Sequence, residues 1–550
     1  MRPAWQWWVL ALLWTLVNAL KPLTVDDAAY FYYARQIAAA PADPYGFSIF
    51  WYQSPQPAIE ILAPPVFVYW WAAAMRLFGP HEIAWKIAML PWAGLFAVSF
   101  GRLAERFAGS GIATWLTAFV VLSPIFLPSL NLMLDVPAIA LGLAALRLFL
   151  RASDRNSWQA AVAAGLIAGL AIQTKYTACL VPAVMLVYAV MHGGIRFAIA
   201  ASAVAAVVAG SWEAFTWFTY GQSQFIDVLQ EDTGGLIRRV QLLPALVVVA
   251  GGVGSAWLFF SLALLGWGRS RLVPAMAACL LCFLVIGWLP AVVPVSVPEP
   301  IRQLVGKANV NLHPATDLFR LLGVLVTGGF AAAAIAAARA REDRRTWAFL
   351  LAWLALELAG YVFINPFVAA RRVMGLAVVS ALILGRLALT RPAAMHALRP
   401  VLVYGACLGA LYAIADTRDA QADRDSATRT AQALRVEGIS APARVWYVGH
   451  WGFQYYAERE GMQAVEPGAS RLEAGDVLVL PDALLSAQRI ELPSDRVALL
   501  HSLDVNDLIP WRTVPAYYRG SSPLGARGDA PRRRTLVYRV TGSFVAVGQR

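Results

Sequence analysis

Long runs of apolar residues, separated by short basic segments, fill most of the first 415 positions of the chain. Several of these runs, such as Trp5–Leu20 and Val373–Leu389, come close to the roughly 20 apolar residues that a helix needs to cross a bilayer. The pattern predicts an all-α polytopic membrane protein with about thirteen transmembrane helices. The predicted spans cover residues 5–20, 84–106, 111–130, 134–150, 158–173, 176–192, 197–218, 243–266, 272–295, 318–338, 346–364, 373–389 and 400–415.

The composition agrees with a membrane protein. Of 550 residues, 59% are hydrophobic and only 14% are charged, a ratio that a soluble domain of this length could not carry without large exposed apolar patches. The net charge of +12 does not indicate a nucleic-acid partner, because the Arg and Lys residues fall between the apolar runs and form no basic domain. These basic residues instead indicate how the chain is oriented in the membrane.

Basic clusters set the predicted orientation. With a cytoplasmic N-terminus, clusters such as Arg147–Arg155 and Arg386–Arg399 lie in cytoplasmic connections, as the positive-inside rule requires. The segment Ala63–Gly79 opens with two prolines and is rich in aromatic residues, and counting it as a span would reverse this orientation. It is therefore predicted to be an interfacial helix within a first outer loop of residues 21–83.

The composition changes after residue 415, where charged residues return. Short β-like runs there alternate with helical stretches, which predicts a small soluble α/β domain over residues 416–550, following a transmembrane domain over residues 1–415. The predicted strands are Arg444–Val448, Asp476–Leu480, Val497–His501 and Thr535–Val540, and the predicted helices are Arg424–Val436 and Phe453–Glu460. In the predicted topology this domain lies on the outer face.

Acidic residues mark the outer face of the predicted membrane domain. Asp26 and Asp27 follow the first span within a few residues, and Asp135 stands at the outer junction of the third and fourth spans. Asp26 and Asp135 could each act only as the N-cap of the helix that follows, because Asp is a favoured N-cap residue. The topology nevertheless places all three carboxylates at one membrane face, which makes them candidate catalytic residues.

Basic residues on the same face are candidates for binding an anion. Lys175 lies at the outer end of a predicted helix pair, and Arg371 and Arg372 begin the twelfth span. A buried phosphate would need such cations, because an uncompensated buried charge is costly. Alternatively, these long side chains could simply extend towards the membrane surface.

Four segments together resemble the GT-C superfamily, and within it the protein O-mannosyltransferases and the bacterial lipid A aminoarabinose transferases. They are the acidic motif DDAAY from Asp26 to Tyr30, the interfacial segment from Pro64 to Gly79, the second acidic motif LDVP from Leu134 to Pro137, and the Lys-bearing turn GLAIQTKYT from Gly169 to Thr177. The chain departs from the family at Ala63, where His is frequent, and at Asp27, where Glu is common.

The resemblance implies an inverting glycosyltransferase in a bacterial inner membrane, with a periplasmic C-terminal domain. Its donor would be a polyprenyl-phosphate-linked hexose or pentose, and its acceptor a hydroxyl of a lipid, glycan or protein. Asp26 would be the general base, and Asp27 and Asp135 would orient the acceptor or hold the base. Tyr30, Lys175, Arg371 and Arg372 would bind substrate. No cofactor is assigned, although a divalent metal beside the three acids stays open.

Two other functions stay open on the sequence alone. Glu213 and Glu357 lie within apolar spans, where acids serve as proton relays in transporters, so the chain could be a proton-coupled multi-pass transporter. The aromatic segment Arg444–Tyr456 could instead stack on sugar rings, which would make the chain a non-catalytic membrane scaffold with a glycan-binding domain. The same aromatic residues could equally form the core of the C-terminal domain.

Overall fold

The structure, a computed structural model, describes residues 4–230, 239–296, 309–339, 343–391, 395–439, 445–482, 488–526 and 530–548. Arg444, predicted to begin a strand, lies outside these ranges. The helices are α1 Trp5–Ala19, α2 Asp27–Ala39, α3 Ala58–Ile61, α4 Val66–Phe78, α5 Glu82–Ile87, α6 Leu90–Ala108, α7 Ala113–Val121, α8 Asp135–Arg155, α9 Trp158–Ile172, α10 Leu180–His192, α11 Ile195–Tyr220, α12 Gln224–Gln230, α13 Leu242–Val253, α14 Ser255–Leu264, α15 Arg269–Ile286, α16 Pro314–Ala338, α17 Arg344–Phe363, α18 Met374–Leu389, α19 Met395–Val436 and α20 Trp451–Arg459.

Within the described ranges, eight helices are long and apolar enough to cross a membrane, and a ninth span is possible if α13 and α14 count together. This result confirms the prediction of a multi-pass helical membrane protein. Three further apolar helices are shorter, namely Val66–Phe78, Trp158–Ile172 and Tyr176–His192. The number of thirteen spans therefore stays a prediction.

Three predicted spans are not continuous helices. The span predicted over residues 272–295 is helical only up to Ile286, and a strand begins at Val293. The other two contain breaks. The span predicted over residues 111–130 contains α7, which ends at Val121 and is followed by turns around Pro124 and Pro128, because proline cannot donate the backbone hydrogen bond that would continue a helix. The span predicted over residues 243–266 is bent by 79° between α13 and α14. Both segments are apolar throughout, so hydrophobicity alone did not reveal the breaks.

Helix α19 is much longer than the span predicted for it. The span predicted to end at residue 415 belongs to α19, which runs for 42 residues without interruption and crosses the predicted domain boundary. Asp416, Asp419 and Asp423 lie on one buried face of this helix, at positions i, i+3 and i+7. The return of charged residues after residue 415 predicted the end of the helix, but these charges are buried against basic partners.

The C-terminal region contains the predicted mixture of strands and helices. Its strands are β5 Val445–Tyr447, β6 Gln463–Ala464, β7 Arg471–Leu472, β8 Val477–Pro481, β9 Ile490–Glu491, β10 Val497–Val505, β11 Trp511–Arg512, β12 Gly525–Ala526, β13 Arg533–Val540, β14 Phe544–Val545 and β15 Val547–Gly548. Five of them form a mixed sheet in the order β10-β13-β8-β5-β6. Strands β5, β6 and β8 run parallel to each other, and β13 pairs antiparallel with both β8 and β10.

The loop over residues 21–83 packs between the long apolar helices and the C-terminal sheet. Helix α2 contacts α4 and α20, and the hairpin of β1 Ser48–Trp51 and β2 Ser54–Pro57 places Trp51 edge-on against His450 at 4.7 Å between ring centroids. A second hairpin pairs β3 Val293–Ser296 with β4 Asn309–Leu312. The loop is thus held from two sides, which fixes the residues at the start of α2.

Candidate active site

A cavity of about 520 Å³ lies where the first outer loop meets the membrane helices. Its lining contains six of the seven candidate residues that the sequence indicates, together with Tyr176, Gln224 and two exposed acids, Glu60 and Asp227. The six are Asp26, Tyr30, Asp135, Lys175, Arg371 and Arg372. Asp27 is the one candidate that does not line it.

One guanidinium group joins the two carboxylates of the cavity. Arg371 Nη2 lies 2.7 Å from Asp26 Oδ2, and Arg371 Nη1 lies 3.5 Å from Asp135 Oδ2. The Asp26 side chain is 21% exposed and that of Asp135 only 8%, so Asp26 is the acid that is more open to a bound substrate. Neither acid acts as a helix cap through its side chain, so the capping interpretation does not account for them.

Lys175 completes the ionic cluster from the other side. Its Nζ donates a hydrogen bond to Asp135 Oδ1, so Asp135 is held by two cations. Lys175 stands in the short connection between α9 and the turn that leads into α10, which carries its amine to the cavity. Burial, together with repulsion from Arg372, lowers the pKa of Lys175 to about 8.

We expect this lowered pKa to appear in the pH dependence of donor use. As the pH rises from about 7 to about 9, Lys175 loses its proton, and we expect kcat/KM for the lipid-phosphate donor that the sequence resemblance implies to fall roughly tenfold. The arginine side chain of the Lys175→Arg variant stays protonated over this range, so we expect the kcat/KM of that variant to stay constant from about pH 7 to about pH 9. Steady-state rates across this pH range check the prediction, and an equally steep fall in Lys175→Arg would assign the titration to another group.

Asp27 forms a separate buried ion pair. Its Oδ2 accepts hydrogen bonds from Lys86 Nζ at 2.7 Å and from the Thr24 backbone N–H at 3.2 Å, and both charged side chains are at most 1% exposed. Burial is the main influence and raises the pKa of Asp27, while Lys86 opposes that rise. The pair ties the start of α2 to the segment that leads into α6, next to Asp26.

Removing one partner of this pair leaves a buried charge without compensation. We expect Lys86→Met to lower the free energy of unfolding by about 3–5 kcal/mol. The pKa of Asp27 in the folded protein is already above its unfolded value, and it rises further without Lys86. The folded variant therefore binds a proton at Asp27 more tightly than its unfolded chain does. As a result, its free energy of unfolding increases as the pH falls. Unfolding of the purified native protein and of the variant at several pH values measures the difference in their free energies of unfolding. The double variant Asp27→Asn/Lys86→Met is the control, and a defect that persists there would contradict this explanation.

An apolar groove meets the polar cavity at the cations. The groove runs between α8, α10, α17 and α18 and is lined by residues such as Ile139, Leu143, Val181 and Val378. Asp135, Lys175, Arg371 and Arg372 line both the groove and the cavity. Three cations therefore stand at the junction between a polar space and an apolar space within the helical bundle.

Arg372 has weaker partners than Arg371. Its Nη1 donates to Asn365 Oδ1 at 3.2 Å, and its guanidinium lies 4.7 Å from the centre of the Phe367 ring. The Nε atoms of Arg371 and Arg372 are buried and have no hydrogen-bond acceptor within the described part of the chain. A bound anion would supply the missing acceptors.

The residues of the cavity do not fit a divalent metal. Asp26 and Asp135 are already paired with Arg371 and Lys175, and cationic side chains in these positions compete with a metal for the carboxylate oxygens. Across the described ranges, no group of three or more His, Cys, Asp and Glu side chains is arranged to hold a metal ion. The two cavity carboxylates are therefore partners of cationic side chains.

The two acids within apolar helices have local partners. Glu213 accepts hydrogen bonds from Tyr176 and from Ser223, each at 2.7 Å, and it thereby holds one wall of the cavity. Glu357 accepts from Trp353 Nε1 at 3.0 Å and lines the apolar groove. The aromatic segment of the C-terminal domain is buried as well, including Phe453, Tyr455 and Tyr456, which agrees with its interpretation as core.

The sequence analysis missed two residues beside the ionic cluster. Tyr518, from the C-terminal region, lies under Arg371, with the guanidinium carbon 5.7 Å from the ring centre. Asn131 donates to the Tyr518 hydroxyl at 2.8 Å. Asn131 stands four residues before Asp135, close to the second acidic motif, whereas no pattern in the sequence connects Tyr518 to a site nearly 150 residues earlier in the chain.

One segment of the chain is similar to a known protein family. Residues 63–215 match the family described as dolichyl-phosphate-mannose-protein mannosyltransferase. The match confirms the resemblance to the GT-C superfamily of membrane glycosyltransferases that the sequence motifs predicted. The matched segment includes Asp135 and Lys175, whereas Asp26 and Arg371 lie outside it.

Solved structures of similar overall arrangement were also found. ArnT from Cupriavidus metallidurans, bound to undecaprenyl phosphate, is 14% identical, with 97% of each chain covered and a TM-score of 0.43. The oligosaccharyltransferase from Archaeoglobus fulgidus, tethered to an acceptor peptide, is 14% identical with a TM-score of 0.47, and the match covers 84% of this chain but 64% of that one. A comparison with curated protein sequences gave no match.

Proposed function

We propose that the protein transfers a hexose or pentose from a polyprenyl-phosphate carrier to an acceptor hydroxyl at the outer face of a bacterial inner membrane. The observation that carries the proposal is the position of Lys175, Arg371 and Arg372 where the polar cavity joins the apolar groove. A lipid-linked sugar phosphate has the same three parts in the same order, namely a polar sugar, an anionic phosphate and an apolar tail. The family match over residues 63–215 points to the same class of donor.

In the proposed donor complex, the isoprenoid tail occupies the apolar groove and the phosphate takes the junction. Lys175 and Arg372 bind the phosphate oxygens, and the free Nε atoms of both arginines add donors. The sugar then projects into the cavity, towards Asp26 and Tyr30. The donor reaches the site sideways from the membrane, so its tail never crosses water.

The proposed reaction is a single displacement at the anomeric carbon. Asp26 accepts the proton of the acceptor hydroxyl while the hydroxyl oxygen forms a bond to the anomeric carbon. The bond from that carbon to the phosphate oxygen breaks, its electron pair stays on the phosphate, and the configuration is inverted. Arg371 holds Asp26 and Asp135 in place and, with Lys175 and Arg372, balances the charge that develops on the leaving phosphate.

The experiment that tests this function uses the full chain purified into lipid nanodiscs. Radiolabelled polyprenyl-phosphate hexoses and pentoses are offered one at a time with a total envelope extract as acceptor. We expect label to appear in product, with equimolar release of polyprenyl phosphate, from at least one lipid-linked donor and from no nucleotide sugar. The configuration of the product, determined by NMR, then tests inversion.

Failure of transfer with every lipid-linked donor would overturn the proposal. The two alternatives make different predictions for the same purified protein. A transporter would move solute in response to a proton gradient in sealed vesicles and would depend on Glu357, whereas a scaffold would retain labelled glycan without releasing polyprenyl phosphate.

A further inference from the structure

A segment of the C-terminal region reaches into the ionic cluster. Residues 513–519 follow β11 and lie against the membrane helices, and Tyr517 and Tyr518 are almost fully buried there. The backbone N–H of Ala370, next to Arg371, donates to the Tyr517 carbonyl oxygen at 3.0 Å. The segment is therefore fixed directly beside the arginine that joins the two cavity carboxylates.

Tyr518 is the residue of this segment that touches Arg371. Its ring lies under the guanidinium group at 5.7 Å, a distance at which a cation is attracted to an aromatic face. Its hydroxyl donates to Asp416 Oδ2 at 2.8 Å and accepts from Asn131 Nδ2 at 2.8 Å. The ring is thus held by both of its polar neighbours and has little freedom to move.

Asp416 is itself held from several sides. Lys21 lies 2.8 Å from its Oδ2, and Thr513 Oγ1 donates to its Oδ1 at 2.8 Å. The Lys21 amine also donates to the Pro128 carbonyl oxygen at 2.6 Å, which ties the group to the turn after α7. The chain of contacts therefore runs from the N-terminal segment through α19 to Tyr518, Arg371 and finally Asp26.

We propose that Tyr518 is a positioning residue for the transfer reaction, and that it acts by fixing the guanidinium of Arg371 against Asp26. The proposal rests on the proposed function for its kinetic consequences. It implies that the C-terminal region contributes a residue to the active site. The face of the Tyr518 ring positions the guanidinium of Arg371, and the Tyr518 hydroxyl holds the ring in place.

The test compares variants of two adjacent buried tyrosines in the full chain. Tyr517 is the matched control, because its hydroxyl contacts Ser129 and the Ile125 carbonyl oxygen, each at 2.7 Å, and its ring does not lie under Arg371. We expect Tyr518→Leu to lower kcat by roughly tenfold to a hundredfold, with donor KM changed by less than about twofold, because a misplaced catalytic group costs rate more than binding. Tyr518→Phe keeps the ring and loses no more than about threefold in kcat. Tyr517→Leu lowers the melting temperature with kcat per folded molecule retained.

Equal losses of kcat per folded molecule in Tyr518→Leu and Tyr517→Leu would overturn the proposal, as would full activity in Tyr518→Leu. A second measurement does not depend on activity. The melting temperatures of Arg371→Ala, Tyr518→Leu and the double variant form a thermodynamic cycle. We expect the decrease in melting temperature of the double variant to be smaller than the sum of the decreases of the two single variants. If the native protein transfers no sugar, the proposed function fails, and an additive cycle would then overturn the positioning role independently.

Discussion

Asp26→Asn is expected to lower kcat by roughly a hundredfold or more while the protein stays folded and binds its donor. The amide has nearly the same shape as the carboxylate but cannot accept the proton of the acceptor hydroxyl, and a lost general base costs about 10²–10⁴-fold in rate. The amide oxygen can still accept a hydrogen bond from Arg371, so the cavity keeps its geometry. Initial rates of sugar transfer at saturating donor measure the effect.

The neighbouring acid provides the control for this prediction. Asp27→Asn changes a carboxylate of the same size one residue away, which is paired with Lys86 and does not line the cavity. We expect its effect to fall on stability, with kcat per folded molecule within about tenfold of the native value. A larger loss of kcat in Asp27→Asn than in Asp26→Asn would exchange the roles of the two acids.

Arg371→Leu is expected to lower kcat by about 10²–10³-fold, the cost of removing one preorganised donor that stabilises developing charge. The substitution also releases Asp26 and leaves Asp135 with Lys175 alone. Arg371→Lys restores charge without the fork that reaches both carboxylates, so we expect it to recover only a minor part of the activity. Transfer rates and donor KM values of the purified variants measure both effects.

Arg372 is the matched neighbour for this experiment. It lies next to Arg371 but makes no hydrogen bond to either cavity carboxylate within the described residues, and its partners are Asn365 and Phe367. Arg372→Leu should therefore raise the donor KM more than it lowers kcat. If Arg371→Leu also changed KM alone, the bridge between the carboxylates would have no part in the chemical step.

The helices of the membrane core and most residues of the ionic cluster could be predicted, because both follow from the hydrophobic pattern and the charge distribution of the sequence. Apolar runs specify helices, and basic connections set which ends share a face, so Asp26, Asp135, Lys175 and Arg371 could be placed together before their contacts were known. Their exact partners could not be predicted. Which cation bridges which acid depends on side-chain geometry at the junction of four separate chain segments.

The choice between Asp26 and Asp27 shows where the sequence is insufficient. Adjacent residues at a helix start point in different directions, and either one could have lined the cavity. Which acid lines the cavity depends on Lys86, a buried cation 59 positions away that forms an ion pair with Asp27. Tyr518 is a stronger case, because its role depends on a long-range contact between two regions that the sequence analysis had assigned to different domains.

The buried acids of α19 restrict how such a protein can change over time. Asp416 pairs with Lys21, Asp419 with Arg532, and Asp423 with Arg533, and all of these side chains are at most 2% exposed. Replacement of Lys21, Arg532 or Arg533 by an uncharged residue leaves a buried carboxylate of α19 without its cation, which is far more costly than the loss of a surface pair. The C-terminal region therefore cannot be exchanged between related proteins as an independent module. The segment that carries Arg532 and Arg533 must be inherited together with α19 and with the N-terminal segment that carries Lys21.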